Sequence, residues 1–240
     1  LGSWVARLNF DTDLWRFSVY ADHFFEDHSQ MFLLDYNGYG EGEQWNTGQK
    51  RRYFMYSLKD MMLGAEFDMK YGTWLRSLLF EYIYTNYQSG PYNHDRTQNI
   101  GDHIAGMDDY YNHSIYTGWQ HWGQVIGNPL YRSPIYNTDN SIDVRNNRFY
   151  AVHLGVEGSP TERLDYRLLT TYQKGWGTYN NPFTKAYKNF SFLVEAKYKF
   201  NHDWTVKGGY AMDFGSEKMY GHNAGFQLTV TKSGLLTKKK

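Results

Sequence analysis

The stretch Asn189–Phe200, NFSFLVEAKYKF, places Phe190, Phe192, Val194, Ala196, Tyr198 and Phe200 on one parity. Ser191, Glu195, Lys197 and Lys199 fall on the other. Successive side chains of a strand point to opposite faces, so this spacing predicts a β-strand with one apolar and one wet face. The same rule recurs in Asp203–Phe214, where Trp204, Val206, Gly208, Tyr210 and Met212 oppose Thr205, Lys207, Gly209 and Asp213. In Met62–Tyr71, Leu63, Ala65, Phe67, Met69 and Tyr71 oppose Gly64, Glu66, Asp68 and Lys70. Less regular segments near 4–10, 14–24, 74–87, 147–158, 163–174 and 219–232 bring the total to about nine strands. Most of them run to about 10–13 residues, longer than the roughly 5–6 of globular proteins and close to the roughly 9–11 that cross a bilayer at a tilt.

The connections carry a second signal. The odd-to-even turns, DTD at 11–13, GT at 72–73, SPTE at 159–162 and NHD at 201–203, are short and made of turn-forming residues. The even-to-odd connections span about 25–58, 88–146, 175–188 and 215–218, three of them long. Short turns on one rim and long loops on the other are the asymmetry of an outer-membrane barrel, with periplasmic turns and extracellular loops. Aromatics near strand ends, such as Trp15, Trp74, Tyr82, Tyr84, Tyr150 and Trp204, match the girdles at the two membrane interfaces. The predicted fold is therefore all-β, an antiparallel transmembrane β-barrel forming one domain over 1–240, with an extracellular loop at 88–146. A soluble β-sandwich or jelly roll also alternates, but strand length and one-sided loops weigh against it. Few segments read as amphipathic helix; DHSQMFLLD, 27–35, has room for two turns.

Composition narrows the function. The 240 residues carry 25 Lys+Arg against 25 Asp+Glu, which leaves no electrostatic footprint for nucleic acid. There is no cysteine, hence no disulfide framework and no thiolate metal or redox site. No apolar run reaches the roughly 18 residues of a transmembrane helix, and mean hydropathy is -0.72. Aromatic residues make up 19% of the chain, half of them from 23 tyrosines, and such side chains favour places with one apolar and one wet side. The start, LGSWVARLNF, has neither an initiator Met nor a charged-then-apolar leader, so any export signal is expected to have lain upstream and been removed.

Three segments, VYADHFFEDHSQMF (19–32), LLFEYIYTNYQSGPYNHD (78–95) and DDYYNHSIYTGWQHWGQVIGNPLY (108–131), resemble the capsule assembly Wzi family of Gram-negative bacteria. The resemblance spans most of the chain. It implies an outer-membrane β-barrel of about eighteen strands acting as a surface lectin, which holds capsular polysaccharide at the cell exterior without altering it chemically. The nine strands here would then be the C-terminal half of that larger barrel. The chain departs from the pattern in lacking the N-terminal half and in ending on SGLLTKKK, without a terminal aromatic.

A saccharide presents apolar C–H faces and hydroxyl rims, so a lectin needs aromatic platforms beside directional hydrogen-bonding groups. In the 88–146 loop, Tyr110, Tyr111, Trp119 and Trp122 offer platforms, while Asp108, Asp109, Asn112, His113 and Gln120 offer donors and acceptors. The competing reading folds this loop inward as a lumen plug with its aromatics as a small core. Both hold together if a plug binds with its outer side. A second aromatic surface is offered by Tyr36, Tyr39 and Trp45 in the 33–58 connection.

Enzyme signatures are weak. HFFEDH (23–28) resembles a zinc H-x-x-E-H motif, but Asp27 stands where the second histidine belongs, and His23 and His28 would face opposite sides of a strand. The Asp and His residues of 93–109 lack diagnostic metal spacing. There is no G-x-S-x-G elbow and no phosphate-binding loop. The expectation is a non-enzymatic protein without metal or cofactor, whose partners are surface polysaccharide and outer-membrane lipid. The rival readings are a porin-like channel lined by Glu66, Asp68, Glu195, Lys197 and Lys199, a barrel hydrolase acting on glycans or lipids, and a soluble lectin domain.

Overall fold

The computed structural model describes residues 2–25, 59–71, 74–88, 93–94, 103–105, 109–113, 115, 118–200 and 203–234. Nine long strands form one sheet: β1 (Gly2–Asp11), β2 (Trp15–Phe25), β3 (Met61–Met69), β4 (Ser77–Tyr84), β5 (Phe149–Thr161), β6 (Leu164–Gly177), β7 (Pro182–Lys199), β8 (Trp204–Gly215) and β9 (His222–Lys232). They are ordered as in the chain, and every neighbouring pair is antiparallel. The sheet is open among the described residues, with β1 and β9 as its two edges. The all-β antiparallel architecture read from the alternation is thus observed.

The register turns the parity of each strand into continuous rows. One row joins Phe10, Phe17, Phe67, Leu78, Val156, Leu168, Val194, Tyr210 and Phe226 across all nine strands. The next joins Leu8, Val19, Ala65, Phe80, Leu154, Thr170, Phe192, Met212 and Ala224. Between these rows, on the opposite face, lies one made of Asn9, Ser18, Glu66, Leu79, Gly155, Leu169, Leu193, Ala211 and Gly225. Further along that face, Arg7, Tyr20, Gly64, Glu81, His153, Thr171, Ser191, Asp213 and Asn223 line up. The apolar rows are the uncovered ones: Leu8, Phe80, Leu154, Val194, Tyr210 and Phe226 are all exposed. An antiparallel sheet in water buries its apolar face and solvates the polar one. Here the pattern is inverted.

The polar face is cross-linked strand to strand. Arg7 Nη2 lies 2.5 Å from Glu66 Oε2, and Tyr20 Oη donates to Glu81 Oε1 at 2.5 Å. Tyr20 reaches β4 by lying over Gly64 of the intervening strand, where a Cβ would collide with its ring. Glu195 is clamped from both sides, by Arg167 Nε at 2.6 Å and Lys207 Nζ at 2.5 Å. Ser191 Oγ donates to Asp213 at 2.5 Å. The pairing offsets what each buried or half-buried charge loses by leaving water.

The third long connection is corrected. The stretch 175–188 reads as a loop because it holds glycines, asparagines and a proline, yet β6 and β7 continue through most of it and leave only 178–181 between them. A register shift at Gly175/Gly177 and the positive φ of 84° at Gly177 absorb the irregularity. Two connections are therefore long, 26–60 and 85–148. The helical segment at 27–35 lies outside the described residues.

Candidate functional site: a cap with an anchored root and an exposed tip

The described residues between 109 and 147 form a cap over the polar face at the long-connection end of the sheet. Its root shares one core with the strands: Ile83, Phe149 and Ala151 of the sheet region pack with Tyr110, Tyr131 and Val144 of the cap. Tyr131 lies against Tyr111 in a tilted pair with ring centroids 4.1 Å apart and meets Phe149 edge-on at 5.0 Å. Buried Asp60, at the end of the first long connection, accepts from Tyr87 N at 3.0 Å, Gln88 N at 2.6 Å and Tyr110 Oη at 2.8 Å. One carboxylate thus ties three chain segments together.

Asparagines fasten the other side. Asn112 donates to Val144 O at 2.9 Å and accepts from Val144 N at 2.8 Å, standing in for a strand partner. Asn147 Nδ2 donates to Tyr110 O at 2.9 Å and also to Asp109 Oδ1. Gln173 of β6 donates to Leu130 O at 2.9 Å, and Tyr220 Oη to Pro129 O at 2.9 Å. None of these partners shares a motif in the sequence, because each is brought into place by the sheet register.

Burial holds the Asp109 carboxyl above the usual range, opposed by the amides of Asn112 and Asn147. A raised acid contributes stability that is present below its unfolded value of about 3.8 and lost as pH rises through the folded value. The Asp109 carboxyl therefore supports the cap root less at neutral pH than in acid. Asp109→Asn keeps an oxygen for both amides, so it should raise the melting temperature relative to wild type at pH 7, with the gap closing toward pH 3. Melting curves of the two proteins across that range check it; a gap that widens on acidification contradicts it.

The tip is built differently. Gln120–His121 pairs with Gln124–Val125, leaving Trp122 and Gly123 as a two-residue turn with φ of 50° and 74°. Positive φ at both central residues is the requirement of a type I′ hairpin, which ordinarily takes Asn, Asp or Gly first. A tryptophan there is strained, and it stands 85% exposed. Ile126 N donates to Trp119 O at 3.0 Å and Ile135 N to Gly123 O at 2.9 Å, fixing the hairpin on the segment that follows. Between the hairpin and residues 134–142 lies an outer cleft of about 560 Å³, with Trp122, His121, Gln120, Ile135, Asn140 and Ile142 in its walls. Gln120 is oriented by donating to Ile142 O at 2.6 Å.

The candidate residues therefore separate into two groups. Tyr110, 2% exposed, belongs to the core with both ends engaged, and it is an inner wall and not an outward platform. Asp109, Tyr111 and Asn112 likewise serve the root, with Tyr111 Oη accepting from Asn128 N at 3.4 Å. His113 is exposed, its Nδ1 accepting from Ile115 N at 3.1 Å. Trp119, Gln120 and Trp122 come together at the tip, with Trp119 46% exposed. Asp108 lies outside the described residues, as do His28 and the alternative surface of Tyr36, Tyr39 and Trp45. His23 lies on the apolar-face parity of β2, where its Nδ1 meets Asp60 O at 2.5 Å. Sequence reasoning missed Ile135, Asn140 and Ile142; the pair Trp122–Gly123 between polar flanks was the signal for the hairpin that gathers them.

Comparison with protein-family models, with curated proteins and with solved structures returned no match for this chain.

Proposed function

We propose that this chain is part of an outer-membrane β-barrel whose cap binds capsular or surface polysaccharide non-catalytically, as the likeness to the Wzi family implies. The membrane half of the reading is supported by the inverted sheet, since rows of exposed Phe, Leu, Val and Tyr spanning nine strands are compatible with lipid and costly in water. The binding half is carried by one observation: Trp122 is held in a strained conformation at a hairpin tip, with its ring outside every core and beside a cleft. Side chains that merely fill space do not need that position. The cleft mixes apolar walls from Ile135 and Ile142 with the amides of Gln120 and Asn140, the combination that suits the two kinds of surface on a sugar ring.

Replacing Trp119 and Trp122 together with alanine should reduce binding of purified capsular polysaccharide by about a hundredfold, the scale of a few kcal/mol for truncated aromatic hot spots. The melting temperature should hardly move, because these rings contribute little to the core. Glycan-array or calorimetric titration beside a thermal melt checks both. Retained binding would remove the tip as the site, and a collapse of stability would return these residues to the core.

A further inference from the structure

The cap borders a second cleft, lined in part by Trp119, and its chemistry differs from that of the first. It holds about 450 Å³ between the cap root and strands β1–β4, with Tyr110, Tyr111, Trp119 and Tyr131 on one side and Asp22, Phe24 and Met62 among the residues on the other. The hydroxyls of Tyr110 and Tyr111 are already engaged, the first donating to Asp60 and the second accepting from the backbone N–H of Asn128, which also lines the cleft. Asp22 is the one carboxylate in this lining. Its cross-strand neighbours are Val5 on β1 and Met62 on β3, so it is flanked by apolar side chains. Elsewhere on the polar face Glu66, Glu195 and Asp165 each face an arginine or a lysine. Asp22 forms no ion pair among the described residues, and its Oδ1 is shielded from solvent without a hydrogen-bond partner there.

A shielded carboxylate oxygen with no cation beside it among the described residues, in a cleft walled by aromatic rings, is the arrangement that attracts an organic ammonium group. The carboxylate supplies the opposite charge, and the ring faces supply cation–π attraction in a partly desolvated site. We infer that this inner cleft binds a small organic ammonium ion, with Asp22 as its counter-charge and Tyr111, Trp119 and Tyr131 as its aromatic walls. The inference uses a different cleft from the polysaccharide reading and shares only Trp119 with it.

The test is titration of the purified chain in detergent, followed by intrinsic tryptophan fluorescence and calorimetry. Two cations represent the two sources of such a group: glucosamine for an amino sugar and choline for a lipid headgroup. Each is compared with a neutral counterpart of similar shape, glucose for the first and dimethylbutanol for the second. At least one cation should bind tenfold or more tightly than its neutral counterpart, and the tighter of the two identifies the source. Tetramethylammonium, which has neither hydroxyls nor N–H donors, should displace it. Asp22→Asn should abolish the preference for the charged ligand while leaving Trp122-dependent polysaccharide binding intact. Equal binding of charged and neutral ligands, no binding of either cation, or an unchanged preference in Asp22→Asn would overturn the inference. Should the variant fail to fold, displacement by tetramethylammonium on the wild-type protein decides the matter alone.

Discussion

Phe80→Arg should destabilise the membrane-inserted protein by about 2–4 kcal/mol, and Leu79→Arg by clearly less. Phe80 stands in mid-strand on β4, exposed, between Ala65 and Leu154 of the apolar rows. If that face meets hydrocarbon, an arginine there must be dragged out of water or must thin the lipid around it. Leu79 points to the other face, between Glu66 and Gly155, where Glu66 offers a carboxylate to an introduced guanidinium. The stability of both variants in lipid vesicles, read by denaturant titration, gives the comparison. Equal costs, or a larger one at Leu79, would mean that the exposed apolar face is covered by something other than lipid.

Phe149→Ala should cost about 3–5 kcal/mol and loosen the cap together with the sheet. Phe149 is fully buried, it packs edge-on against Tyr131 of the cap, and its backbone is bracketed by Thr85, with N–H to Oγ1 at 2.9 Å and C=O to Thr85 N at 2.8 Å. Removing the ring leaves a cavity where cap root and strands share a core. The expected signature is coupled: a lower unfolding midpoint and new protease cleavage within 109–147. Sheet destabilisation with an undisturbed cap would show that the two are held together by hydrogen bonds alone, through Asp60, Asn112, Asn147 and Gln173.

The antiparallel sheet was legible in the sequence because a two-sided sheet writes its period directly into the chain. Phe190 through Phe200 could not be read otherwise, and the faces assigned from parity at 62–71 and 203–214 agree with the register. Strand ends were harder. Gly175, Gly177 and Pro182 look like punctuation, but a register shift lets antiparallel pairing run past the glycines. The division of labour within the cap was not legible at all. Tyr110 and Trp122 are both aromatic residues in one polar loop, and nothing local says that the first is buried against Phe24 and the second left outside. That outcome depends on Asp60, fifty residues upstream of Tyr110, and on a turn whose backbone φ values emerge only once the hairpin closes.

The central claim, that the uncovered apolar face of this sheet is a lipid-facing surface, can be measured directly along β7. The chain contains no cysteine, so single cysteines can be placed at Phe192, Leu193, Val194, Glu195, Ala196 and Lys197 without a background label. Each would carry a nitroxide, and its relaxation by oxygen, which concentrates in lipid, would be compared with that by a water-soluble nickel chelate. The expected result is a strict two-residue alternation in vesicles, with positions 192, 194 and 196 accessible to oxygen and 193, 195 and 197 not. Labels at all six positions that respond alike, or that favour the nickel chelate on the even positions, would contradict it.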